Sequence, residues 1–239
     1  MRRLSTVLLI AFLFAAACSG GDDELVAQDI VSEIPWTGPE AFEYRLLQGD
    51  DVKGTGSLKL REASDALVLE QKFEIPEEEI TDSIVAEVEP DTLSPRNIER
   101  VIDGPEGERR CEASYADDTV TVEQRAGEDE RTDSLSVPVP YYDSWSDLFL
   151  WRTIEFFEGH ELRYVDVLSC SLAKPDILSV VLKVEEKEEV EVPAGTFQAW
   201  RLEIRSGGRT QKAWYADDEP RTLVRYDNGD LVFELESTN

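Results

Sequence analysis

One histidine, one methionine and three cysteines in 239 residues leave little of the chemistry that most catalytic and metal sites use. A Ser–His relay or a zinc site needs more than His160, which sits beside Gly159 in an expected turn and reads as a solvated or structural loop residue. Basic residues are scarce as well: 24 Lys and Arg stand against 52 Asp and Glu, a net charge of −28. A field of that sign repels phosphate backbones, so nucleic acid is not an expected partner. No apolar run reaches the roughly 20 residues of a membrane span. Gly54-Thr55-Gly56 is followed by no helix start, which removes a dinucleotide loop, and acidic clusters such as Gly127-Glu128-Asp129-Glu130 lack EF-hand spacing. No metal, cofactor or catalytic constellation is expected. Carboxylates are so numerous that a glycosidase-like pair stays open as a minor reading.

What is present begins with an export layout. Met1-Arg2-Arg3 is basic, residues 4–14 are apolar, and Ala15-Ala16-Ala17-Cys18 follows. The small residues before Cys18 resemble a bacterial lipobox, which implies cleavage after residue 17 and acylation of Cys18; the competing reading is a plain secretory signal with an incidental cysteine. The chain then divides into a lipoprotein signal peptide (1–17), a Gly- and acid-rich lipidated tether (18–39) against which Trp36 has an option to tuck, and an antiparallel β domain (40–239). The expected location is the extracytoplasmic face of the cell envelope, with the membrane as partner through Cys18.

The body alternates with period two. Residues 196–205 and 209–216 flank Gly207-Gly208, a primed-turn signal. Pairing Ser206 with Arg209 sets Trp200 against Tyr215, Leu202 against Ala213 and Ile204 against Gln211, while Glu203 meets Lys212 and Arg201 meets Trp214. Asn228-Gly229 predicts a second two-residue hairpin, with Tyr226 facing Leu231 and Val224 facing Phe233. Tyr44, Trp200, Leu202, Ile204, Tyr215, Tyr226 and Phe233 form the candidate apolar face, read either as sheet core or as a stacking platform. Tyr44 is expected to lie over Gly56, covering the gap in the sheet. Residues 127–133 read as a charged loop and 152–157 as a strand. The aromatic stretch 138–157 predicts one short helix capped by Asp143 or Ser144, serving as core plug or as lid. Cys111 and Cys170 are left as a disulfide or two buried thiols. The fold class is all-β: a single strongly curved antiparallel sheet or near-closed barrel of about ten to thirteen strands.

Trp151-Arg152, Val192-Pro193-Ala194-Gly195-Thr196-Phe197, Trp200-Arg201 and the run Ala213 to Pro220 (AWYADDEP) resemble an uncharacterised family of bacterial exported or lipid-anchored β-proteins. That fold is broadly similar to the half-barrels of lipoprotein-localisation carriers. The resemblance implies a fold and no agreed activity; the aromatic abundance on the expected inward faces is what points to a non-catalytic module binding a hydrophobic ligand or a lipoprotein. The alternative is an envelope scaffold with a filled interior; a carboxylate hydrolase comes third.

Overall fold

The computed structural model describes residues 25–238; the export signal and Cys18 lie outside the described residues. Eight strands form a first meander: β1 (Glu40–Gln48), β2 (Asp51–Ala63), β3 (Ala66–Ile75), β4 (Ile80–Val88), β5 (Pro95–Asp103), β6 (Arg109–Ala116), β7 (Thr119–Ala126) and β8 (Asp129–Ser136). A connection follows that holds the two-residue β9 (Tyr142–Asp143) and the helix α1 (Asp147–Leu150). The second meander is β10 (Glu161–Leu168), β11 (Asp176–Val192), β12 (Gly195–Ser206), β13 (Arg209–Ala216), β14 (Leu223–Asp227) and β15 (Val232–Thr238). All belong to one 15-stranded sheet that runs from β8 back to β1, crosses to β15 and continues down to β10 and β9. Every pairing is antiparallel except β9 with β10. The strand count exceeds the expected range because the charged stretch after Gly127 pairs as β8 and Tyr142–Asp143 adds a bridge. Alternating exposure along β8 shows why its charges did not prevent pairing: it is an edge strand with its polar groups in water.

The two free edges face each other across a seam without a backbone ladder. Cys111 of β6 is bonded to Cys170, just past β10, with Cα atoms 5.6 Å apart. The Tyr115 hydroxyl donates to Asp143 Oδ2 at 2.5 Å, Gln124 Nε2 to the Ser171 carbonyl at 2.8 Å, and Arg131 to the Ala173 carbonyl at 2.7 Å. Of the two expected forms the sheet is the curved, open one, its β8 and β9 ends bridged by side chains where the described strands carry no ladder.

The register around Gly207-Gly208 is the one the alternation dictates, from Ser206–Arg209 through Trp200–Tyr215. The second hairpin differs. Asp227 pairs with Val232 and Tyr226 with Phe233, leaving residues 228–231 as the loop. The cause is Asn228, whose buried side-chain oxygen accepts the amides of Asp230 and Leu231 and so widens the turn. Tyr44 stands opposite Gly56 as expected, but the ring nearest that glycine is Phe73, its β3 partner. Gly54 is required for a different reason: an added Cβ would lie 1.9 Å from the Glu74 carbonyl oxygen.

Of the candidate apolar face, Tyr44, Leu202, Ile204, Tyr215 and Phe233 are core and Tyr226 is half-buried. Trp200 departs from that group. A bulge between Val184 and Lys187 increases the twist of the β11–β12 ribbon, so that beyond it Ala199 is buried instead. Half-buried Trp200 packs only at the margin, donating its ring N–H to Asp217 under the Lys187 ammonium. Trp214, on the opposite sheet face from Tyr215, is covered and donates to Glu188 of the same ribbon; the cation over its ring is Arg225, not Arg201.

The interior is filled. Trp145, Leu148, Phe149 and Trp151 from the connection are buried against strands of both meanders. The Tyr215 hydroxyl donates to the Leu148 carbonyl at 2.9 Å and Gln71 to the Trp145 carbonyl. Residues 138–157 are therefore a plug. The strand expected over 152–157 is absent: Trp151–Thr153 form a single 3₁₀ turn, and Arg152 is buried on Glu40 at 2.8 Å and the Pro220 carbonyl at 2.6 Å. The helix starts after Ser146 rather than at Asp143 or Ser144. Residues 25–39 do not behave as a tether. Ile30 and Trp36 are buried, the amides of Ser32 and Glu33 donate to the Thr153 carbonyl, and Trp36 lies under the Arg152 guanidinium. Apolar residues in an otherwise acidic stretch dock it onto the plug.

Candidate functional site

With the interior occupied, open space lies at its margins. A hollow of about 270 Å³ opens beside the Cys111–Cys170 disulfide. Ile102, Ala126, Leu172 and the disulfide line it, with Arg109 and Arg131 on the same sheet face as Cys111; Arg110 and Arg125, at its edge, alternate to the other face. An adjoining hollow of about 70 Å³ shares Ile102, Arg109 and Leu172 and extends the floor toward Ile80. The local structure that assembles this edge is β6–β7–β8: Arg109 stands opposite Ala126 and Arg131 opposite Gln124 on the disulfide's face, while Arg110 and Arg125 face each other on the other side of the sheet. Like charges facing each other across a ladder destabilise it unless anions intervene. Here Glu99 and Glu108 approach Arg110, Glu130 approaches Arg125, and Glu106 approaches Arg109. Beneath the rim Arg100 is buried on Asp82, at 2.6 and 2.9 Å, donates to the Cys170 carbonyl and stacks on Trp145. This ion pair joins the cleft floor to the plug.

A second region of chemistry is internal. Three carboxylates converge from three elements: Asp143 of β9, Asp147 of α1 and Asp166 of β10, each buried. Asp147 accepts from the Tyr164 hydroxyl at 3.0 Å, and Tyr164 in turn accepts the Trp151 ring N–H at 2.8 Å. Asp143 accepts from Tyr115 and from the Trp145 amide. Asp166 accepts the Ser144 hydroxyl on Oδ2, while among the described residues no donor reaches its buried Oδ1 in full hydrogen-bond geometry. Burial pushes the Asp143 carboxyl up to about 6, only partly opposed by its hydrogen bond from Tyr115. Burial, then the neighbouring Asp166 charge, raises Asp147 well above the carboxylate range, and burial with Asp143 raises Asp166.

Among the described residues no three His, Cys, Asp or Glu side chains are grouped to hold a metal ion. His160 stacks on Phe157 at 4.4 Å, with Nδ1 2.8 Å from the Glu155 carbonyl. The sequence reading missed both the arginine rim and the acid cluster. For Asp166 a signal existed: period two puts it on the same side of β10 as the buried Tyr164. For the rim it was Arg109, in phase with Cys111 on β6.

A strongly curved, open antiparallel sheet with a plugged interior defines a barrel-like all-β protein. The chain belongs to a family of proteins of unknown function, DUF3108, whose model matches residues 42–236. Among solved structures it is similar to the β-barrel-like protein of the domain of unknown function DUF1849 from Brucella abortus. That match has a TM-score of 0.56 at 12% identity and covers 87% of this chain and 98% of that one. A Bacteroides fragilis protein with a YmcC-like fold matches at a TM-score of 0.35 and 9% identity, covering 87% and 99%. No curated protein matches the chain.

Proposed function

We propose that the protein is a non-catalytic, extracytoplasmic binding module, anchored through an acylated Cys18, that takes an anionic amphiphile in the cleft beside the disulfide. The observation that carries this reading is the placing of Arg109 and Arg131 beside an apolar floor in a chain with 52 acids and 24 bases. An apolar chain on Ile102, Ala126 and Leu172 gains by burial, and an acidic head pairs with Arg109 and Arg131. The intramolecular acids already bound to the rim are what such a head displaces. The test is displacement of a fluorescent fatty acid from the full chain by dodecanoate, dodecyl maltoside and dodecyltrimethylammonium. The expected order is dodecanoate well ahead of the other two, with loss of at least about tenfold in affinity in Leu172→Glu and in Arg109→Glu. Equal displacement by all three, or unchanged affinity in both variants, overturns the proposal.

The filled interior favours a second reading, an envelope assembly partner that binds protein rather than lipid. In that case dodecanoate fails to bind, and cross-linking in envelopes through a photoreactive residue at position 125 yields one protein adduct.

A further inference from the structure

At the end of the sheet marked by the Gly207-Gly208 turn lies a small cavity of about 80 Å³ that the amphiphile cleft does not share. Its walls hold Asp147 and Asp166, the rings of Trp151 and Tyr226, and the aliphatic Ile204. Trp151 and Tyr226 stand with ring centroids 6.2 Å apart and tilted at 55°, two faces of a partial cage. Asp166 is 1% exposed; the Ser144 hydroxyl and the Val167 amide favour its charged form, and among the described residues no donor reaches its Oδ1 in full hydrogen-bond geometry. A buried carboxylate oxygen left without a donor costs the fold free energy that a bound donor would return. Rings lining the same space attract cations through their quadrupoles. Carboxylate together with aromatic faces is the chemistry that recognises an organic ammonium group.

We propose that this cavity binds a small organic ammonium ion, with Asp166 as its counter-ion, Asp147 beside it, and Trp151 and Tyr226 against its alkyl and N–H or N–CH₃ groups. The site is independent of the amphiphile cleft. Charged and titratable groups approach Asp166 from every side: Asp143 from β9, Asp147 from α1, Tyr115 from β6, Tyr164 from β10, Tyr226 from β14 and Arg209 from β13. In the unliganded protein burial favours the protonated acid, so a cation must displace a proton as it enters. Binding is therefore coupled to proton release and strengthens as pH rises. Arg209, engaged with Asp230 at 3.1 Å, sits at the cavity wall and disfavours a second positive charge, which limits the ligand to one ammonium.

The experiment is calorimetric titration of the full chain with tetramethylammonium and methylammonium chloride against potassium chloride at equal ionic strength, at pH 6 and pH 9. Tetramethylammonium keeps its charge across this range, so any pH effect belongs to the protein. The account expects saturable binding of at least one ammonium, about tenfold tighter at pH 9, with proton release seen as a buffer-dependent heat. Asp166→Asn should lose both the affinity and the pH effect. Tyr226→Leu, at a half-buried position, should keep the fold and weaken binding several-fold. Potassium binding as well as the ammonium ions, sodium acetate binding in their place, no saturable heat at pH 9, or affinities unchanged in both variants would each overturn the assignment.

Discussion

The two meanders meet along two lines, and these are joined by different means. Where β15 returns to β1, the strands pair over six positions from Phe42–Thr238 to Leu47–Val232, with Arg45 reaching Glu234 across the ladder. At the seam between β8 and β9 there is no ladder. A disulfide, the Tyr115–Asp143 bond and three further side-chain bonds to backbone carbonyls hold it: Arg100 to Cys170, Gln124 to Ser171 and Arg131 to Ala173. A ladder distributes its stabilisation over many weak, mutually registered bonds. A seam of side chains concentrates it in a few groups, some of them titratable or reducible, and both proposed sites lie beside them.

The largest expected effect on that contrast comes from the disulfide. Its 59-residue separation corresponds, in the chain-entropy description, to about 4 kcal/mol. Cys111→Ala with Cys170→Ala should lower denaturant stability by about that much. In the same variant, hydrogen exchange should quicken in β7 and β8 before β1 and β15, since the seam opens locally while the ladder stays shut. Uniform acceleration would show that the two joints are not separable. At the other joint Leu46→Ala removes a fully buried side chain opposite Phe233 and should cost about 3 kcal/mol, with no bias toward the seam in exchange.

The titratable member of the seam gives an intermediate effect with a defined sign. Burial raises the Asp143 carboxyl from 3.8 to about 6, so the folded chain holds this proton more tightly than the unfolded chain. Stability from that group is full below about pH 4 and is lost as pH rises through 6, amounting to at most about 3 kcal/mol. Thermal melts of the wild type from pH 4 to pH 8 should therefore fall more steeply than those of Asp143→Asn; equal slopes would remove Asp143 from the seam's energetics. The smallest effect is expected at the ladder's surface. Arg45→Ala breaks a partly exposed pair with Glu234 and should change stability by less than about 1 kcal/mol, read from urea midpoints.

The same contrast explains what was legible in the residues. Period-two alternation and Gly207-Gly208 fix the β12–β13 register because each slip turns apolar side chains to water. The curved all-β sheet follows from repeated hairpins of that kind. The second hairpin was not legible because the decision rests on where one side-chain oxygen of Asn228 bonds, not on its backbone preference. Trp200 could not be placed because a bulge in β11, a neighbouring strand, changes which side is buried. The plug, the acid cluster and the arginine rim depend on contacts between segments distant in sequence, such as Tyr115 with Asp143 and Arg100 with Cys170. Local pattern carries little of that information. Asp166, in phase with Tyr164, and Arg109, in phase with Cys111, carried a signal that the sequence reading passed over.

The central claim is that the sheet's interior is occupied by the chain's own 138–157 segment as permanent core, which pushes ligand binding to the margins. Native-state hydrogen exchange of the disulfide-intact chain tests this most directly, read at the Phe149 and Leu150 amides, which bond to the Ser146 carbonyl. The account predicts that they exchange only with global unfolding, alongside the central amides of β1 and β2. Exchange at these two amides through a separate, lower-energy opening, while β1 and β2 stay protected, would make the segment a lid and contradict the account.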